Sequence, residues 1–84
     1  MECWIDHTDD ADHRLVRLAG RLGYEQVPDL LRVCDEREGR KLVLDLVDLL
    51  TTDSAGVQAL RRLRRDGASF HHLSEYLRLK LNLE

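Results

Sequence analysis

Lys41-Leu42-Val43-Leu44-Asp45-Leu46, followed after five residues by Thr52-Asp53-Ser54-Ala55-Gly56-Val57, is the stretch from which the fold is read. The first segment is a short apolar run with no evident wet face, as expected of a central strand covered on both sides. The second places an Asp/Ser pair before a Gly that opens an amphipathic segment, so hydroxyls and free backbone N–H groups collect at a helix start. Such an end suits a phosphate or a partner's carboxylate. Asp53 fits the N-cap position, accepting from the N–H of Ala55 or Gly56. Gly56 implies close approach of the helix to the sheet, or room for a partner backbone. Thr51 and Thr52 read as solvated loop hydroxyls, with Thr52 the better contact.

Upstream, Cys3-Trp-Ile-Asp-His7 reads as a strand and Thr8 to Asp12 as a turn. His13 to Ala19 then forms a second strand, paired with the first in a hairpin with a five-residue loop. From Gln26 onward Val27, Leu30, Leu31 and Cys34 fall on one helix face, with Pro28 acceptable only in a first turn. This helix ends before Gly39, a suitable C′ residue.

Downstream, Gly56, Val57, Ala59, Leu60 and Leu63 make the inward face of a second helix. Arg61, Arg62, Arg64 and Arg65 gather in its last turns, where a solvated cationic face complements the helix dipole. Asp66-Gly67 ends this helix, Ala68 to His72 reads as a fourth strand, and Ser74 caps a last helix carrying Leu77 and Leu81 on one face. The whole is an α/β chain, one domain over residues 1–84, with a mixed four-stranded sheet, flanking helices and element order β-β-α-β-α-β-α.

A chain of 84 residues, 43% hydrophobic and 35% charged, has room for one small core. Its net charge of -3 argues against a nucleic-acid partner, which selects for basic surplus. No apolar run is long enough to insert in a membrane, and no basic-then-apolar leader opens the chain, so a cytoplasmic location is expected. Leu83-Glu84 reads as a vector remnant. Cys3 and Cys34 read as reduced, partly buried thiols, with a Cys3–Cys34 bridge as the alternative. Asp35, Glu36 and Glu38 read as surface charge. No metal or other cofactor is expected: His71 and His72 on a strand point to opposite faces, and Cys3 and His7 would stand about 13 Å apart along one. No nucleophile elbow or phosphate-binding Gly-rich loop is present, so no catalytic residues are assigned and enzymatic activity is not expected.

The stretch Leu44-Asp-Leu-Val-Asp-Leu-Leu-Thr-Thr-Asp-Ser-Ala-Gly-Val-Gln-Ala-Leu60 resembles the signature of STAS domains, a strand ending in Asp-Leu, a short loop, Asp-Ser/Thr-Ala-Gly or Asp-Ser-Ser-Gly, then a helix. Leu-Ala-Gly-Arg-Leu22 and the Gly67 to Leu81 segment look like other parts of the same fold. The resemblance implies a non-catalytic module of the anti-sigma factor antagonist kind, docking an anti-sigma factor with serine kinase activity through Thr52, Asp53, Ser54, Gly56 and Val57. It implies phosphorylation at the helix start. There the family's usual phosphoacceptor, second after the Asp, is Ala55 in this chain, which leaves Ser54 as the candidate hydroxyl. The Asp-Ser/Thr-Ala-Gly form also resembles the small STAS subunit that binds the ATPase of phospholipid-transport ABC systems, where the hydroxyl is a contact and carries no phosphate.

Overall fold

The computed structural model describes residues 3–81. Strand β1 (Cys3–Asp9) turns back into β2 (His13–Leu22) as an antiparallel hairpin in which Cys3 faces Gly20 and Asp9 faces Arg14. The expected five-residue loop is shorter, because pairing continues through Thr8 and Asp9 and leaves only Asp10 to Asp12 unpaired. Asp10 closes it: its Oδ1 accepts from the N–H groups of Asp12 at 2.8 Å and His13 at 2.7 Å. These two bonds hold the Asp10 carboxyl below the usual carboxylate range.

Arg14 locks the hairpin to the next element. It is buried, and its guanidinium grips the Asp9 carboxylate with two bonds, Nε at 2.7 Å and Nη2 at 2.8 Å. Its Nη1 donates to the Val33 carbonyl at 2.8 Å, in helix α1 (Val27–Asp35). A planar fork can serve a carboxylate and a carbonyl together, which an ammonium cannot do in the same geometry. The hydrogen bond to Arg14 holds Asp9 below its ordinary range.

Pro28 sits in the first turn of α1, where its missing N–H is not needed. The helix is capped at Glu36, earlier than Gly39, so Gly39 is not its C′ residue. A separate turn follows, with Glu38 and Gly39 both at positive φ (55° and 82°), and it feeds β3 (Lys41–Thr52).

Strand β3 runs parallel to β2, and the short β4 (Ser69–His71) runs parallel to β3, giving the order β1-β2-β3-β4. Helices α2 (Ser54–Arg65) and α3 (Glu75–Lys80) follow β3 and β4. As read from the sequence, the result is a mixed four-stranded sheet with helices in the order β-β-α-β-α-β-α.

The core gathers Val16, Leu18 and Leu22 from β2, Leu42, Leu44, Leu46 and Leu49 from β3, Leu30 and Cys34 from α1, Leu60 and Leu63 from α2, and Leu77 and Leu81 around α3. All three helices therefore contribute to one apolar layer on one face of the sheet. The expectation that Lys41 to Leu46 is covered on both sides is corrected accordingly. Leu42, Leu44 and Leu46 are buried, whereas Val43 and Asp45 are half-buried and Val47 is exposed, the alternation of a one-faced sheet. On the open face Trp4 is 73% exposed.

Strand β3 is also twice as long as the apolar run that announced it. Its second half escapes a period-two reading because two bulges interrupt the pairing with β2. Leu46 and Val47 together oppose Leu18, and Leu50 is an extra residue between the pairs Gly20–Leu49 and Arg21–Thr51. Each bulge reverses the inward parity, so burial passes from Leu46 to Leu49 to Thr52 in steps of three.

Burial pushes the Cys34 thiol up to about 11, and Cys3, half-buried in β1, is raised by the same cause. Both are free thiols. His72 lies beyond the end of β4 in the left-handed region (φ 61°), and its Nδ1 is 3.0 Å from Asp45 Oδ1. That hydrogen bond holds Asp45 below its ordinary range. Leu83-Glu84 lies outside the described residues.

Candidate functional site

The C-terminal ends of the parallel strands β2 and β3 lie side by side, as Leu22 and Thr52 are paired. Each strand gives directly onto a helix, so the loop Gly23 to Gln26 and the junction Asp53-Ser54 meet at one end of the sheet. Carboxyl ends of parallel strands are where α/β folds present their binding groups.

Asp53 ties the two together. Its side chain caps α2, with Oδ1 accepting from Gly56 N at 2.9 Å. Its Oδ2 accepts from Tyr24 N at 3.1 Å, and its own N–H donates to the Leu22 carbonyl at 3.1 Å. Across the loop, Gln26 Oε1 accepts from Gly23 N at 3.1 Å. The cap expected from the sequence is therefore present, with Gly56 as donor, and the same carboxylate also fixes the neighbouring loop.

Gly56 is buried against the ends of β2 and β3. A Cβ there would overlap Thr52 Oγ1 and stand 3.0 Å from the Leu22 carbonyl oxygen. Close approach of helix to sheet is thus the reason for a glycine at this position. Thr52 is corrected: it ends strand β3 and is only 4% exposed, with its hydroxyl 3.3 Å from the Asp53 carbonyl. It is not a solvated loop hydroxyl, because the second bulge turns it toward the core.

Ser54 and Asp53 are exposed, while Ala55 and Val57 are half-buried. Of the residues singled out in sequence, Asp53, Ser54 and Val57 reach the surface at this end. Thr52 and Gly56 form the packed floor beneath them.

A groove of about 320 Å³ opens beside the junction, lined by Arg21, Leu22, Tyr24, Glu25, Thr51 and Asp53 among others. Tyr24, 67% exposed, was not anticipated. Its only sequence signal was the Gly23-Tyr24-Glu25 turn immediately following a strand parallel to β3. Thr51 faces α3, where its hydroxyl and that of Tyr76 are 2.9 Å apart. Among the described residues, no three His, Cys, Asp or Glu side chains converge as metal ligands would.

The fold is similar to that of a solved anti-sigma-factor antagonist, a STAS domain from Rhodobacter sphaeroides. It superposes with a TM-score of 0.64 at 27% identity, over 87% of this chain and 92% of that one. The chain has the STAS fold. The protein Mglu contains the same fold (TM-score 0.68, 23% identity), aligned over 83% of this chain and 20% of Mglu. A DUF3478-family protein from Shewanella loihica, described as having a SpoIIAA-like fold, aligns over 92% of this chain and 71% of its own length (TM-score 0.61, 10% identity). No family model matches the chain, and no curated protein matches it. Within the STAS fold, the junction after the third strand is where the packed Gly56 and exposed Ser54 stand next to each other. No helix among the described residues is long and apolar enough to cross a membrane.

Proposed function

We propose that this chain is a non-catalytic interaction module of bacterial regulation, similar in role to anti-sigma factor antagonists, that acts in the cytoplasm. It docks a protein partner of the anti-sigma factor and serine kinase kind through the β3–α2 junction, Thr51 to Val57. The observation that carries this reading is the exposed Ser54 in the first turn of α2, next to a cap that is itself bound into the neighbouring loop. A surface held this firmly is pre-organised for docking. Thr52 and Gly56 support the surface from below, and Asp53, Ser54 and Val57 meet the partner.

Ser54 is the modification site in this reading. A phosphate there adds roughly -1.5 to -2 charges at the positive end of α2 yet beside Asp53, so its effect on the fold is small and its effect on a docked partner large. Affinity capture of the intact protein against a Ser54→Asp variant tests this. Weaker capture with a nearly unchanged melting temperature is expected; equal affinity of the two forms overturns it.

Ala55 favours a second reading. With no hydroxyl at the family's usual phosphoacceptor position, the junction also suits an accessory STAS subunit bound to a transport ATPase, where Ser54 is a plain contact. Incubation of the captured complex with ATP separates the two: phosphate on Ser54 supports the switch, and an intact unmodified complex supports the subunit.

A further inference from the structure

Helix α2 carries four arginines and no acidic residue, in a chain of net charge -3, so the rest of the chain is four charges more acidic than that total. Gly56, Ala59, Leu60 and Leu63 face the core. At 100° per residue the opposite side of the helix is the row Ser54, Gln58, Arg61 and Arg65, all exposed, with Arg62 flanking it. Arg62 reaches Asp66 at 4.0 Å, while Arg61, Arg64 and Arg65 form no ion pair among the described residues. Ser54 and Arg61 are seven residues apart on this ridge, about 10 Å.

We infer that this ridge is the partner-facing surface of α2 and that it recognises an acidic protein surface. The inference rests on the docking role proposed above and adds the chemistry of the partner. Guanidinium groups on one row suit carboxylates presented by a protein, to which they bond in a fork. The acidic remainder of the chain repels extended polyanions and anionic membranes, which present charge far beyond one helix face. The same ridge explains release: a phosphate on Ser54 puts like charge on the line that an acidic partner must cover.

The test titrates the full ¹⁵N-labelled chain with a short glutamate-rich peptide, followed by amide shifts. The same titration is run on Arg61→Glu/Arg65→Glu, on Ser54→Asp, and on Arg17→Glu/Arg37→Glu, which changes charge equally at exposed and half-buried sites off α2. Shifts confined to Ser54 to Arg65 are expected, with binding about tenfold weaker in the α2 double variant, weakened in Ser54→Asp, and nearly retained in the control. Equal losses in the two double variants overturn the inference, since they reduce it to net charge. Tighter binding to phosphatidylserine vesicles or to a DNA duplex than to the peptide also overturns it, as does salt-sensitive self-association through α2 without peptide. If the peptide result fails while Ser54→Asp still weakens partner capture, docking stands and only the acidic chemistry falls.

Discussion

Replacing Gly56 by alanine tests the packing of the junction most directly. Two effects oppose each other. Alanine is the better helix former, by about 1 kcal/mol in a helix interior and less in a first turn. Against this, the added methyl overlaps Thr52 Oγ1 and presses on the Leu22 carbonyl at 3.0 Å and Leu22 Cγ at 3.1 Å. Thr52 can rotate, but the carbonyl cannot yield freely, because it accepts from Asp53 N at 3.1 Å. Helix α2 must therefore lift at its N-terminus, loosening the Asp53 cap. Overpacking of this kind costs about 1–3 kcal/mol, so the net loss is about 1–2 kcal/mol. For a chain this small that is a fall of roughly 5–15 °C in melting temperature. Thermal and urea unfolding followed by circular dichroism read it, and Thr52→Ala/Gly56→Ala should recover only part of the loss, since the Leu22 contacts remain. A Gly56→Ala protein as stable as the parent, or more stable, refutes the close-approach argument.

Asp53→Ala removes the cap of α2 and the acceptor for Tyr24 N together, and should cost about 1–2 kcal/mol in urea unfolding. Stability should fall with acid: Asp9, Asp10 and Asp45 are all held below their ordinary range, so their contribution is complete above the unfolded value near 3.9 and is lost as pH drops through the lower folded values. Urea midpoints measured from pH 6 down to pH 2 should decline most steeply below about pH 4, and less steeply in Asp45→Asn. A thiol reagent at pH 8 should modify half-buried Cys3 slowly in the folded chain and buried Cys34 only on unfolding, counted by mass spectrometry with and without urea.

Much of the architecture was legible because each element carries its own local signal. The i, i+3, i+4, i+7 spacing from Val27 to Cys34, Asp53 and Ser74 as caps, and the apolar run at Leu42 to Leu46 each act over a few residues. What escaped depends on pairing between distant segments. Strand β3 continues to Thr52 because β2 lies beside it, and no periodicity in Val47 to Thr51 announces that. Nothing local in the sequence marks Arg14, whose role depends on Asp9 and the Val33 carbonyl being brought to it. At the site, Asp53, Ser54 and Gly56 were visible as a helix start. The contribution of Tyr24 was hidden, since its link to Asp53, 29 residues away, is a backbone N–H bond that no side-chain pattern announces.

The two bulges in β3 also define where the strand can change length. Val47 and Leu50 are the surplus residues, 59% and 72% exposed. Deleting Leu50 would leave Leu49 and Thr51 opposite consecutive residues of β2, with Thr52 still turned inward. Deleting Val47 would do the same for Leu46 and Asp48, opposite Leu18 and Ala19. Leu49 and Leu50 are identical neighbours, so loss of either yields the same chain, with the remaining leucine turned inward opposite Gly20. The strand therefore has two removable residues, whose loss would straighten it locally while leaving Thr52 opposite Leu22 and the docking end in register.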